Sequence, residues 1–335
     1  MRSSSWPWLV ALGAVGCTRG GVAPAPALGD DVLLVVADPG FQVQLTDLAG
    51  RELHRWEVVP EDHGVDGSRG SFRRAWLQPD GSLLALIEYG SLWLIERDGS
   101  VRWVIDDGNH HDVLARAEGG WHSLVEEPTA QGTRDLVVSY DADGHEESSV
   151  DVRDAIARSP GQELFAERVA ATADDPLHLN ALNAVTVPGD DRFPEGAWLL
   201  SSRAQNALFV LDPAVGLVTW SGVGDFVGQH DPRLLGPDRV LLLDNGTRAS
   251  GTRAIELSFP SLATWWTSVE LPYSSCCGTV QRVGDLTRAV LTPSATAVVL
   301  GADGDLVEAW TPPEVDRLFQ AEQLPRPAWL SEDLR

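Results

Sequence analysis

A repeat is the feature that most limits what this chain can fold into. An apolar strand, a short polar turn and a second strand with an apolar or aromatic end recur along it. The copies are LTDLAGRELHRW (45–56), IERDGSVRWVI (95–105), VSYDADGHEESSV (138–150), FVLDPAVGLVTW (209–220), IELSFPSLATWW (255–266) and VVLGADGDLVEAW (298–310). Marked at residues 56, 103, 150, 220, 266 and 310, the copies lie 47, 47, 70, 46 and 44 residues apart. The long interval becomes regular if it carries an insert of about 25 residues. Residues 151–176, DVRDAIARSPGQELFAERVAATADDP, supply one with helix-like composition and turn residues at its end. Further apolar runs precede the copies, separated by turn dipeptides such as Asp80-Gly81 and Asp98-Gly99. Short strands at this period predict an all-β fold, a six-bladed β-propeller with a short helical insertion, in preference to a stacked array of β-sandwiches. On this reading residues 31–315 are the propeller and 316–335 a C-terminal tail with a short helix. Most of the 13 tryptophans then belong to packing between blades.

Composition narrows the class of partner. With 335 residues, 43% of them hydrophobic, the chain can bury a large core. Its net charge is −24, and all 25 basic residues are arginine. Such a surface repels nucleic acid and anionic headgroups, and an anionic substrate needs a local basic patch against the global field. The N-terminus, MRSSSWPWLVALGAVGCTRG, has one early Arg, an apolar run over Trp8–Val15 and small residues before Cys17. This reads as a signal peptide over 1–16, too short to span a membrane. AVGC resembles a lipobox, with Cys17 lipidated and 17–30 a flexible tether to the membrane. The expected location is the bacterial cell envelope, at the outer membrane, an oxidising setting. Two further cysteines, Cys276 and Cys277, are adjacent. They stay free or form a strained vicinal disulfide, and make a poor metal site alone. No C-x-x-C, H-E-x-x-H or phosphate-binding glycine loop occurs, and neither a cofactor nor a metal is expected.

Four stretches depart from the strand pattern: GNHHDVLARAEGGWHSLV (108–125), DDPLHLNALNAV (174–185), WLLSSRAQNALFVLD (198–212) and GQHDPRLLGPDRVLLLDNG (228–246). Each sets a His or Arg beside an apolar strand. A propeller brings loops from distant segments to one face, so such residues can share a site. DNG (244–246) reads as a turn, and His54, His63, His122 and His145 as solvated residues of blade edges or turns.

HHDV, HLN, SSRAQNALFVLDPAVGLVTW, GDFVGQHDPRLL with LLLDNG, and CCGTVQRV, in this order from about 108 to 310, resemble the bacterial arylsulfate sulfotransferases and their arylsulfotransferase-like relatives. The resemblance implies a six-bladed propeller that moves a sulfuryl group from an aryl sulfate to a phenol, without a nucleotide donor, through a covalent sulfohistidine. Carried over by motif, it implies that His230 is the nucleophile. It implies that His111, His178, Asn180 and Arg203 line the same pocket, and that Thr279 contributes to substrate binding. Sulfuryl transfer resembles phosphoryl transfer in spreading charge over non-bridging oxygens, which Arg203, His111, His178 and Asn180 are suited to meet. One histidine would protonate the leaving phenolate and deprotonate the acceptor; the sequence leaves His111 and His178 both open for this role. The two cysteines depart from what the family leads one to expect. A non-catalytic propeller binding an anionic or aromatic ligand or a partner protein competes with this reading. A metal-dependent propeller hydrolase fits less well, because histidine with arginine suits an oxyanion better than a cation.

Overall fold

The computed structural model describes residues 31–331 apart from 131, 173–174 and 313–314. The signal peptide, Cys17 and the tether lie outside the described residues. The chain is built from antiparallel strands in meander order. The first sheet holds β1 (Val32–Asp38), β2 (Gln42–Asp47) and β3 (Glu52–Glu57). A seven-stranded sheet follows: β4 (Phe72–Leu77), β5 (Leu83–Ile87), β6 (Gly90–Ile95), β7 (Val101–Ala115), β8 (Trp121–Thr129), β9 (Gly132–Tyr140) and β10 (Glu146–Asp151). Helices α1 (Val152–Arg158) and α2 (Glu163–Ala170) come next. Three four-stranded sheets complete the order. They are β11 (Leu179–Val185) to β14 (Leu217–Val223) through β12 (Ala197–Ser202) and β13 (Ala207–Asp212); β15 (His230–Gly236) to β18 (Thr264–Thr267) through β16 (Arg239–Thr247) and β17 (Gly251–Ser258); and β19 (Val280–Val283) to β22 (Leu306–Trp310) through β20 (Leu286–Leu291) and β21 (Thr296–Leu300).

Local chemistry explains the meanders. At the β6–β7 turn, Gly99 takes φ +88°, its N–H reaches Glu96 O at 2.9 Å, and Asp98 accepts from Ser100 N at 3.0 Å. The same Asp-Gly device recurs at Asp80-Gly81, where Gly81 has φ +90°. The aromatic strand ends clamp neighbouring units. Trp103 Nε1 donates to Ala142 O in the β9–β10 turn at 3.3 Å, and Trp266 Nε1 to Ala302 O in the β21–β22 turn at 2.9 Å. Strand β7 serves two units. Its Val101–Ile105 part pairs with β6, and its His110–Ala115 part with β8. The helices extend the third unit. Asp151 caps α1 by accepting from Asp154 N, and Val152, Ile156, Phe165 and Val169 bury against Leu177 and Phe209.

The end of the chain departs from the expected tail. Residues Arg317–Leu324 form β23, which pairs antiparallel with β1 from Val32↔Leu324 to Asp38↔Arg317, so the strand-built part runs beyond 315. Among the described residues of the tail, short helical structure is confined to a 3₁₀ turn at Ala328–Ser331. The polar letters of RLFQAEQL hid a buried strand, because its amides bond to neighbouring units. Gln320 accepts from Ala75 N and donates to Ala75 O, both at 2.9 Å.

Contacts of this kind run in a closed cycle through the first strand of each unit. After Gln320 (β23 to β4), Arg74 faces Asp112 at 3.7 Å (β4 to β7), and Asp112 accepts from Leu182 N at 2.9 Å (β7 to β11). Asn183 donates to Pro232 O at 2.9 Å (β11 to β15), and Asp231 accepts from Val280 N at 2.7 Å (β15 to β19). Gln281 donates to Gln323 O at 2.8 Å and returns the cycle to β23. Apolar packing follows the same circuit. One cluster joins Leu241 and Leu243 to Val298 and Leu300, and another joins Val290 and Ala297 to Leu33, Val35 and Leu318, last unit to first.

Asp231 is the most connected member of the cycle. It also pairs with Arg74 at 3.0 Å and with Arg233 at 3.0 Å. Removing one partner from a buried ionic network leaves the others uncompensated. Asp231→Ala is therefore expected to cost about 3–5 kcal/mol, read as a lowered urea midpoint at unchanged slope. A loss under about 1 kcal/mol, the ordinary worth of a surface pair, would contradict the role assigned to it.

Candidate functional site

The cycle is irregular where the sequence departs from the strand pattern. Register slips occur between Phe72 and Arg74 in β4, His110 and Val113 in β7, Leu179 and Ala181 in β11, and His230 and Arg233 in β15. A bulge re-aims side chains away from the pleat. It brings Arg73, His111, Asn180 and Asp231 to one place. The backbone is strained there as well: Tyr89, His111, His178, Asp231 and Cys277 all have φ between 44° and 61°. Non-glycine residues in this region are uncommon, and their clustering marks a place where local geometry is held against its own preference.

A cavity of about 40 Å³ lies at this point, lined by Arg73, Arg74, Glu88, His111, Asn180, His230, Asp231, Cys277, Gly278 and Phe319. His230 is buried. Its Nδ1 lies 2.7 Å from Asn245 Oδ1 and 3.0 Å from Gly228 O. Asn245 Nδ2 donates to Ser274 O and Cys277 O, each at 3.0 Å, so the other amide atom must be the oxygen. Two acceptors at Nδ1 place the imidazole proton there and leave the lone pair on Nε2. Nε2 accepts from Cys277 N at 3.2 Å. Burial, which outweighs the bond to Asn245, brings the His230 pKa down to about 3, and the neighbouring His111, Arg203 and His178 push the same way. The ring is neutral at pH 7.

The other expected site residues take up distinct positions. His111 is held at both nitrogens, with Nε2 at 2.9 Å from Glu88 Oε1 and Nδ1 at 2.8 Å from His110 Nδ1. Burial alone would raise the Glu88 carboxyl. The hydrogen bond and charge of His111, with Arg73, outweigh it and bring Glu88 to about 2. His178 adjoins His111, ring centroids 5.2 Å apart, and its Nδ1 bonds closely to Asp175. Its Nε2 has no protein partner among the described residues. Arg203 stands against Gly228, and its one side-chain hydrogen bond among the described residues is a long one, Nη2 to Ser275 O at 3.5 Å. It forms no ion pair among the described residues, and its buried Nε is unpartnered. Asn180 spends one amide proton on Gln229 O at 2.6 Å, and its buried Oδ1 has no partner among the described residues. Thr279 is buried but does not line the cavity; Cys277 and Gly278 before it do. Gly278, at φ +103°, has no room for a side chain, since a Cβ would fall 2.4 Å from Val290 O. Cys276 and Cys277 are free thiols, their sulfurs 2.8 Å apart, and not a vicinal disulfide.

Several residues of the site escaped the sequence reading. Asn245, read as part of a turn, orients His230. Asp175 orients His178, and Glu88 orients His111. Asp112 and Asp231 follow the histidines of HHDV and QHD and hold the strands in place. His122 is half-buried with a pKa lowered to about 4 by burial and by Arg116, so it is not a solvated residue. Glu126, Asp135 and Asp175 lie close enough to share a cation, but Asp135 already pairs with Arg153, and Asp175 with His178.

The fold and site define a mostly β, multi-sheet protein with a histidine- and arginine-bearing cavity where its sheets converge. Residues 135–250 match the model of the arylsulfotransferase (ASST) family, and that stretch of the chain is similar to it. The matched stretch contains His178, Asn180, Arg203 and His230; His111 and Thr279 lie outside it. No curated protein matches the chain. Among solved structures, BamB from Moraxella catarrhalis aligns at 12% identity and TM-score 0.41, covering 85% of this chain and 83% of its own. A functionally unknown protein from Desulfotomaculum acetoxidans aligns at 11% identity and TM-score 0.47, covering 83% and 79%. Likeness at this level carries no functional argument.

The depressed His230 pKa has a consequence for stability. The unfolded chain takes up a proton near pH 6.5, and the folded chain does so only near 3. Stability from this group is therefore complete above 6.5 and lost as pH falls toward 3. About 2 kcal/mol should be lost between pH 7 and 5, measured as the difference in urea stability between wild type and His230→Gln. A difference that does not change with pH would show that His230 titrates normally.

Proposed function

We propose that the units are the blades of a six-bladed propeller, and that the chain transfers a sulfuryl group between phenols through a sulfohistidine at His230. The observation that carries this reading is the state of His230. It is a buried neutral imidazole that lines the cavity, with its proton fixed on Nδ1 and its lone pair on Nε2. Nε2 attacks sulfur, and the bond to the phenolic oxygen breaks. His178 is the better acid and base. Its Nδ1 is oriented by Asp175 and its Nε2 is uncommitted among the described residues, whereas both nitrogens of His111 are occupied. His178 protonates the departing phenolate and then takes the proton of the acceptor phenol, whose oxygen displaces His230. Arg203, which has no carboxylate partner among the described residues, meets the charge on the sulfuryl oxygens. Burial that disfavours a charged imidazole also disfavours the imidazolium ring of the N-sulfo zwitterion. The intermediate is then reactive, which suits onward transfer. A lipid anchor at Cys17, holding the domain in the bacterial envelope, accompanies this proposal.

A ligand-binding propeller without catalysis is the second reading. It is favoured by the Cys277 N–H on Nε2, which is how a satisfied structural histidine looks. Intact-mass analysis after mixing with nitrophenyl sulfate separates the two. Sulfuryl transfer gives nitrophenol release and a sulfuryl adduct mapped to His230, both absent in His230→Ala. Tight binding with neither supports the second reading. His178→Ala is expected to slow transfer by about 10²–10⁴ with a simple phenyl sulfate. The loss should be smaller with nitrophenyl sulfate, whose phenolate leaves with less need of a proton. Equal losses for both donors would remove His178 from the acid role.

A further inference from the structure

Cys276 and Cys277 play no part in the chemistry above, yet they sit against both ends of its central residue. Cys277 N–H donates to His230 Nε2 at 3.2 Å, and Cys277 O accepts from Asn245 Nδ2 at 3.0 Å. Asn245 Oδ1 completes a ring of contacts at His230 Nδ1, 2.7 Å away. The two sulfurs touch at 2.8 Å, both residues are half-buried, and Cys277 has φ 61°. The N–H on Nε2 belongs to the peptide that links the two cysteines.

We propose that Cys276 and Cys277 are an oxidative modification site for low-molecular-weight disulfides, and that closing them into a vicinal disulfide withdraws the Cys277 N–H from His230 Nε2 and raises the reactivity of that nitrogen. The consequence for turnover rests on the sulfuryl-transfer reading; the effect on His230 does not. Neighbouring Cα atoms are about 3.8 Å apart across a trans peptide, whereas disulfides prefer about 4.4–6.8 Å. Closure therefore twists the linking peptide. Asn245 holds the Cys277 carbonyl, so the twist falls on the N–H side. A disulfide strained in this way is also easily reduced, as reversible ones are.

The exchange balances. The Cys276 thiolate attacks one sulfur of the reagent disulfide and expels the first thiolate. The Cys277 thiol loses its proton and attacks Cys276 Sγ, expelling the second. One S–S bond forms and one breaks, and the reagent leaves as two thiols carrying the two protons. The Cys277 thiol as hydrogen-bond partner brings the Cys276 thiol down to about 7 against the effect of burial, with Arg203 assisting, which makes it the attacking sulfur.

The test uses the full chain carrying Cys17→Ser, so that these are its only thiols, equilibrated in reduced or oxidised glutathione. Iodoacetamide should label both cysteines in the reduced form and neither in the oxidised form. Diethyl pyrocarbonate modification of His230, located by peptide mass, should be about three- to tenfold faster after oxidation, the worth of one hydrogen bond. Cys276→Ser and Cys277→Ser should react at the reduced rate in both buffers. Persistent labelling in oxidised glutathione, an unchanged His230 rate after proven closure, or a slower one overturns the proposal. Nitrophenyl sulfate turnover keeps the two ideas apart. A redox-dependent His230 rate without phenol release sinks only the transferase reading, and phenol release with no redox dependence of His230 sinks only the switch.

Discussion

The carboxylate of Asp231 is the interaction on which the rest of the molecule depends. Four groups converge on it or on its partners: Arg74 from β4, Arg233 from its own strand, Val280 N–H from β19, and Glu322 from β23 through Arg233. Burial alone would raise the acid. The charges of Arg233 and Arg74 and the bond from Val280 outweigh burial and bring it to about 2. Asp112 shares Arg74 only at 3.7 Å, and burial carries it up to about 6. One guanidinium thus serves two acids unequally, and the nearer one carries the network. Arginine suits this place because its fork reaches two carboxylates at once, which a lysine ammonium does less well. Asp231 follows His230 directly, so the group that ties distant strands together also sets where the imidazole stands.

Closure of the cycle is what makes local strain tolerable. A β-strand of His, Asp and Asn has little intrinsic reason to form. The slips at His110–Val113, Leu179–Ala181 and His230–Arg233 remove ladder bonds. In return, Asp112 takes Leu182 N–H, Asn183 takes Pro232 O, and Asp231 takes Val280 N–H, each from the next strand around. Hydrogen bonds lost within sheets are replaced by bonds between them. The histidines then sit on backbone fixed from both sides. Such backbone holds a reacting group in place better than a free loop would.

This division explains what the sequence could reveal. The strand-turn units, their spacing and the helical insert are local, and the ends marked at 56, 103, 150, 220, 266 and 310 all fall in the last strand of a unit, β3, β7, β10, β14, β18 and β22. HHDV, HLN and QHD were visible because each breaks the strand alternation, and a bulge is the physical cause of that break. What stayed hidden is non-local. RLFQAEQL reads as polar tail until Ala75 is beside Gln320. Asn245 reads as a turn residue until it is seen that a buried imidazole needs its oxygen. Glu88 and Asp175 look like two of 49 acids, and only distance separates them from the rest.

The acidity of the chain bears on the chemistry proposed for it. A −24 molecule disfavours anions everywhere, and within the site most guanidinium groups are already spent: Arg74 and Arg233 on Asp231, Arg73 near Asp38 and Glu88. Only Arg203 is uncommitted among those described there. An aryl sulfate carries one negative charge and inorganic sulfate two, so a repulsive field weighs about twice as heavily on the second. One free guanidinium in such a field is a weak trap for sulfate but an adequate hold on its ester. Under the proposed transfer, a site so arranged would retain the donor, pass its sulfuryl group to the neutral imidazole, and release the product that water would make.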